Sequence, residues 1–191
     1  MKPSRNSLRL KNYNYSQSGL YFVTICINQR KELLSEIVDD KVILNDAGKM
    51  VEDSYFSLQV RFPNISCDSY VIMPNHIHFI FKIKECDDNV GVVPCANPSS
   101  RQPQGIAATN KPRDQNSASL SEVVAALKSI STVQYIRGVT DNGWQKFDKR
   151  LWQRNYYEHV IRSEESYIKI AEYIENNPIN WAIDELNPHF M

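Results

Sequence analysis

His76 and His78 stand one residue apart and make up half of the chain's four histidines. On a β-strand, side chains at i and i+2 leave the same face, with Cα atoms about 6–7 Å apart. Two imidazoles so placed can bind one divalent cation and leave coordination positions open for substrate oxygens or water. They could equally be two half-exposed histidines packed on a sheet, and spacing alone does not decide. Around them the apolar alternation is strict: Ile77, Phe79, Phe81 and Ile83 share one face, while His76, His78, Ile80 and Lys82 share the other. Both imidazoles therefore project from the face opposite the aromatic residues.

Tyr173 and Asn177 form a second constellation. At about 100° per residue they lie one helical turn apart on one side, offset from the apolar stripe of their helix. A phenol there is only partly committed to the core, and the carboxamide oxygen one turn on can ligate a hard cation. A boundary tyrosine followed by a capping asparagine has the same spacing. Lys169 lies one turn before Tyr173, where it serves either the phenol or plain helix solubility. The third feature is charge placement. Lys2, Arg5, Arg9 and Lys11 precede any acid, the first being Glu32, and from Lys128 to Arg162 seven basic residues face three acidic ones. Tyr13, Tyr15, Trp144, Phe147, Trp152, Tyr156 and Tyr157 interleave with them. Cations position phosphates and aromatic faces stack unpaired bases, although a solvated surface with aromatic anchors has the same composition.

The elements that must position these residues follow from periodicity. Leu20 to Ile27 is apolar on both faces, as a central strand is. After a polar turn, Lys41 to Leu44 predicts a short strand. Asn45 or Asp46 then caps a helix over Ala47 to Val60, which Pro63-Asn64 stops. Strands Ser66 to Met73 and His76 to Lys84 join through Pro74-Asn75. Glu85 to Asn116 holds four prolines, much Ser, Asn and Gln and little apolar periodicity, and reads as a mobile insertion rather than a second domain. Ser119 to Glu122 fits a capping box that opens a helix with Leu120, Val123, Val124, Leu127, Ile130 and Val133 as its stripe. Ser163 caps the last helix, Glu164 and Glu165 suit its dipole, and Asn177-Pro178 ends it. Tyr167, Ile170, Ala171 and Ile174 form its inward face. Tight turns among alternating strands and helices favour an antiparallel or mixed α+β sandwich, in one domain over residues 1–191.

Composition narrows the class. The 22 basic and 22 acidic side chains cancel, which excludes a strongly basic wrapping protein but not a neutral one with a basic face. No apolar run approaches the roughly 18–20 residues of a membrane span, and the polar start lacks a secretory core. Cys26, Cys67, Cys86 and Cys95 have no metal-type spacing and read as reduced thiols, so the expectation is a cytoplasmic protein without a membrane partner.

Taken jointly, these segments resemble a known family. Tyr70 to His78 (Tyr-Val-Ile-Met-Pro-Asn-His-Ile-His) looks like the His-hydrophobic-His strand of the single-tyrosine HUH transposases. Trp152 to Arg162 (Trp-Gln-Arg-Asn-Tyr-Tyr-Glu-His-Val-Ile-Arg) resembles the hallmark of their REP-associated branch, as does Tyr173-Ile174-Glu175-Asn176-Asn177-Pro178. The resemblance covers Gly19 to Lys84 and Leu120 to about Trp181, and the insertion does not match.

The resemblance implies a ferredoxin-like α+β sandwich with a central antiparallel sheet, helices packed on it, and the last helix bringing Tyr173 to the histidines. It also implies His76, His78 and Asn177 as ligands of Mg²⁺ or Mn²⁺ and Tyr173 as nucleophile. Tyr156, Tyr157 and Tyr167 are rivals without a ligand-type residue one turn on, and His159 reads as a buttress of the fold. The implied chemistry is nicking of single-stranded or hairpin DNA through a 5′-phosphotyrosine link that stores the bond energy for rejoining. Arg5, Arg9, Lys11, Lys149, Arg150, Arg154, Arg162 and Lys169 are the expected DNA contacts, with Lys169 also favouring the phenolate. Monomer and homodimer both stay open. The other readings are a hairpin-binding protein without turnover, a rolling-circle or relaxase-type nickase, and a cation-binding protein that never meets DNA.

Overall fold

The computed structural model describes residues 18–84 and 118–190. Arg5, Arg9, Lys11, Cys86, Cys95 and the expected insertion at 85–116 lie outside them.

A four-stranded antiparallel sheet forms the centre. Its strands are β1 (Gly19–Cys26), β4 (Ile65–Ile72), β5 (His76–Ile83) and β6 (Tyr157–Ile161), in the order β4-β5-β1-β6. Helices α1 (Asp46–Arg61) and α2 (Leu120–Asp141) connect β1 to β4 and β5 to β6. This is the expected ferredoxin-like β-α-β-β-α-β arrangement, with an added hairpin after β1 and an added helix α3 (Glu164–Asn176) after β6.

The two faces of the sheet are unequal. Tyr21, Val23 and Ile25 of β1 and Ile77, Phe79, Phe81 and Ile83 of β5 bury against Val51, Tyr55 and Leu58 of α1 and Val123, Val124 and Leu127 of α2. A buried Leu, Phe or Val contributes about 1.5–3 kcal/mol, so this layer carries most of the apolar stabilisation. The opposite face holds a small cluster, Phe22, Ile80, Ile161 and Ile174, covered by α3. The expected alternation along His76 to Lys84 therefore holds, and β1 repeats it: Phe22, Thr24 and Cys26 stand on the histidine face. Register places Thr24 opposite His78 and Cys26 opposite His76.

Each helix starts where its capping residue predicts. Asn45 accepts from the Gly48 amide, Ser119 and Glu122 complete a capping box, and Ser163 accepts from the Ser166 amide. In the expected inward face of α3, Ile174 is fully buried, while Tyr167 and Ile170 are partly buried at the edge of the small cluster. Two elements depart from the sequence reading, which places no strand at β6, the edge strand beside β1. The polar turn after β1 contains a further strand, β2 (Ser35–Val38), paired with β3 (Lys41–Leu44). Asp39 and Asp40 close this hairpin with φ of 48° and 58°, the double left-handed geometry of a tight hairpin turn that Asp tolerates. No described helix is long and apolar enough to cross a membrane.

Candidate functional site

The histidine face of β5 is sealed by α3 and by the segment that follows it. His76 is 0% and His78 2% exposed, so these are buried imidazoles rather than half-exposed ones. Their Nε2 atoms lie 3.0 Å apart. Each ring is held from behind through Nδ1: His76 by Asn75 Oδ1 at 2.8 Å, and His78 by Thr24 Oγ1 at 2.8 Å.

The Asn75 amide is oriented by its other bonds, because its Nδ2 donates to the carbonyls of Arg30 and Leu186. Its oxygen can only accept, so the Nδ1 of His76 carries the proton and Nε2 presents a lone pair. Thr24 is more permissive, since a hydroxyl can accept from His78 Nδ1 or donate to it. Neither Asn75 nor Thr24 emerges from the sequence as a site residue. Asn75 reads as a turn residue, and Thr24 stands opposite a histidine only once β1 pairs with β5.

Tyr173 reaches this pair from α3. Its hydroxyl is 3.2 Å from His78 Nε2, while the side chain is 46% exposed, so the phenol touches both the buried pair and solvent. The Phe22 ring lies edge-on to it at 6.1 Å. One turn on, Asn177 is buried and caps the helix. Its Nδ2 donates to Asp184 Oδ2 at 3.3 Å, and its Oδ1 is buried with no hydrogen-bond partner. That oxygen falls short of hydrogen-bond geometry with His76 yet is close enough to act on its ring. Asp184 is the residue that sequence reasoning missed. His76, His78 and Asp184 offer ligand atoms that all lie within 4.8 Å of one another. No periodicity marks Asp184, which follows the short turn Trp181–Ile183 beyond α3.

Electrostatics match a cation site. Burial pushes His76 down to about 4, against the upward pull of the Asp184 carboxylate and the Asn177 amide. Burial, and then the neighbouring His76, push His78 well below the usual histidine range. Both rings are therefore neutral at physiological pH, which is the form that ligates metals. Tyr173 is raised, mainly by burial and then by Asp184, while the nearby Asn177 side chain works in the opposite direction. Two neutral nitrogens and one carboxylate converge, and this donor set could hold a divalent metal ion.

The other expected residues distribute around this centre. A groove of about 570 Å³ runs over Tyr173 and His78, lined also by Phe22, Gln153, Asn155, Tyr156 and Tyr157. Lys149, Arg150 and Arg154 line a separate groove against the outer side of α2. Arg162 is exposed just beyond β6. Lys169 is bonded to Glu165 at 2.6 Å on the helix surface, so its charge is shared with that carboxylate. Of the rival tyrosines, Tyr167 donates to Asp68 of β4 and Tyr156 lies under the Lys128 ammonium. Tyr157 shares the groove with Tyr173.

A buried histidine pair facing a tyrosine on an added helix thus sits on a ferredoxin-like sheet. That fold is also the fold of a solved REP-associated tyrosine transposase bound to a REP hairpin. The likeness has a TM-score of 0.53 at 18% identity, over 90% of this chain and 73% of the other. In sequence, the chain belongs to one family with an uncharacterised protein of Haemophilus influenzae, strain Rd, 37% identical over 185 residues, 95% of this chain and 92% of that protein. A second protein of that strain, provisionally named a REP-associated tyrosine transposase, is 24% identical over 183 residues, 93% of this chain and 81% of its own length. No family model matches the chain.

Proposed function

We propose that this protein nicks and rejoins single-stranded DNA at hairpins of the REP or transposon-end kind, with Tyr173 as nucleophile and a divalent metal as cofactor. The observation that carries this reading is the Tyr173 hydroxyl 3.2 Å from His78 Nε2, beside three potential ligands gathered within 4.8 Å. The 24%-identical relative and the hairpin-bound structure of the same fold support the choice of substrate.

His76, His78 and Asp184 would hold the ion, with Asn177 Oδ1, the unpartnered buried acceptor, as a further donor. A bound Mg²⁺ or Mn²⁺ supplies Lewis acidity toward phosphate oxygens. The chain's own residues do the rest. Tyr173 is held as a phenol by burial and Asp184, while the nearby Asn177 side chain favours the phenolate. Attack forms a bond from the phenolic oxygen to phosphorus and breaks the bond from phosphorus to the 3′ oxygen. The phenol proton is released, and the leaving oxygen takes up a proton to become a 3′-OH. The 5′-phosphotyrosine keeps the phosphodiester energy, so a later 3′-OH can reverse the step without a nucleotide cofactor. Tyr156 and Tyr157 offer aromatic surface along the groove for unpaired bases, and Lys149, Arg150, Arg154, Arg162 and Lys169 offer cationic contacts for phosphates. The basic residues Arg5, Arg9 and Lys11 extend that set in sequence.

The test is a denaturing gel of labelled hairpins, drawn from DNA flanking the gene, incubated with Mn²⁺. Wild type should give a nick and a protein–DNA adduct that Tyr173→Phe and His76→Ala both abolish. An adduct that persists in Tyr173→Phe transfers the role to Tyr157 in the same groove. Binding without cleavage under any divalent metal leaves a hairpin-binding protein without turnover.

A further inference from the structure

Lys128 belongs to the basic run of the sequence, yet its half-buried ammonium is turned onto the backbone. Its Nζ donates to three consecutive backbone carbonyls, those of Gln153, Arg154 and Asn155, at 2.9, 3.3 and 3.2 Å. It also lies 5.3 Å from the centroid of the Tyr156 ring. An ammonium has three N–H bonds, and here all three are committed. Lys128 lines the same basic groove as Lys149, Arg150 and Arg154, but its N–H groups are directed at these carbonyls rather than at the groove's opening.

The segment it grips is the wall between two grooves. Gln153, Asn155 and Tyr156 line the groove over Tyr173 and His78, while Gln153 and Arg154 also line the basic groove against α2. On its other side, this segment is tied to the end of β1. The Gln153 amide donates to the Cys26 carbonyl, Gln153 Nε2 donates to the Ile27 carbonyl, and Ile27 bridges Trp152. Among the described residues no strand ladder continues from Gln153 to Tyr157, and across this break Lys128 supplies hydrogen bonds to the carbonyls of Arg154 and Asn155 as well as to that of Gln153. Burial pushes its ammonium down to about 8, which leaves it charged at neutral pH.

We propose that Lys128 is a positioning residue, whose three carbonyl bonds set the 153–156 wall so that Asn155 and Tyr156 can contact an unpaired nucleotide next to Tyr173. The nucleotide contact rests on the proposed DNA-nicking function; the positioning of the wall does not. The lysine acts through the wall, and substrate meets the amide and ring that the wall presents.

Two measurements on the full chain test this, using Lys128→Met, which keeps the stem and removes the donors, and Lys128→Arg, which restores donors on a similar stem. Hydrogen exchange without DNA should quicken at residues 153–156 in Lys128→Met, stay unchanged in the central strands, and recover at least in part in Lys128→Arg. Fluorescence anisotropy should show about tenfold weaker binding of a short labelled oligothymidylate to Lys128→Met, equivalent to losing one charge-assisted hydrogen bond. A labelled blunt-ended duplex, which has no unpaired nucleotides, should bind both proteins alike. Unchanged exchange at 153–156 overturns the positioning role. Faster exchange with undiminished oligothymidylate binding overturns the link to a nucleotide. Equal loss of both DNA probes assigns Lys128 to general stability or charge, also against the proposal. If wild type binds neither probe, the DNA reading itself fails, and the exchange arm still reports on the wall.

Discussion

His76 shows what burial does to a titratable side chain that stays neutral. In the fold its pKa lies near 4, whereas a solvated imidazole titrates near 6.5. Between those values the unfolded chain binds the proton and the folded chain refuses it, so stability falls as pH drops through this window. The contribution is fully present above about 6.5 and is lost toward 4. His78 is shifted in the same direction. Urea unfolding with chelator present should therefore show a midpoint that declines steadily from pH 6.5 to 4.5, above the range where most carboxylates titrate. His76→Gln should flatten part of that slope whatever it does to stability at pH 7, and a level wild-type profile would contradict a buried neutral pair. At this scale the sequence was legible where side chains act from a motif: His76, His78, Tyr173 and Asn177 all arrive at one place. Thr24, Asn75 and Asp184 were not legible, because each reaches the site through strand register or a turn that leaves no periodic trace.

Helix α2 is more than a lid on the sheet. One side of it presents a row at helical spacing that fastens the irregular segment before β6. Lys128 holds the carbonyls of residues 153–155, Ser131 accepts from the Trp152 indole, and Tyr135 donates to the Gln145 carbonyl. Gly138 ends the row, with the Trp144 ring packed directly on its backbone. A Cβ there would stand 2.2, 2.4 and 2.5 Å from three atoms of that ring. Alanine normally favours a helix over glycine by about 1 kcal/mol, so helix propensity alone predicts that Gly138→Ala stabilises. The steric argument reverses the sign: Trp144 must leave its place beside Tyr135, at a net cost of roughly 1–3 kcal/mol. Chemical denaturation and Trp fluorescence would read both effects, and an increase in stability would show that the ring gives way freely. Caps and stripes made all three main helices readable in advance. The segment from Asn142 to Tyr156 showed only its aromatic anchors, because it is held by side chains of α2 and has no repeating pattern of its own. Strand β2 escaped because Ser35-Glu36-Ile37-Val38 opens on polar residues, whereas its equally short partner β3 carries the apolar run Val42-Ile43-Leu44.

Over the whole molecule, the main core layer follows from alternation and helical stripes, the sheet order emerges only from the pairing, and the described ends on either side of residues 85–117 are held by one buried asparagine. Asn64, at the end of α1, accepts from the Lys84 amide through its backbone oxygen. Its side chain pairs with the backbone of Ala118 in both directions, Nδ2 to the carbonyl at 3.2 Å and Oδ1 from the amide at 3.3 Å. The exit from β5 and the entry to α2 are thus pinned to the same residue. These bonds join the two ends within the described residues. Replacing 86–116 with a Gly/Ser linker of about six residues, with a reach of roughly 20 Å, should leave the fold intact. Each halving of loop length reduces closure cost by about 0.6 kcal/mol, so the shortened chain should unfold at equal or slightly higher urea, by about 1 kcal/mol. A loss of about 2 kcal/mol or more would mean that the replaced residues cover part of the core, and Asn64→Ala should then cost little by comparison. If stability holds and hairpin affinity falls, the segment serves the DNA rather than the fold. Asn64 then marks where a substrate-reading insertion was joined to a sandwich already closed without it.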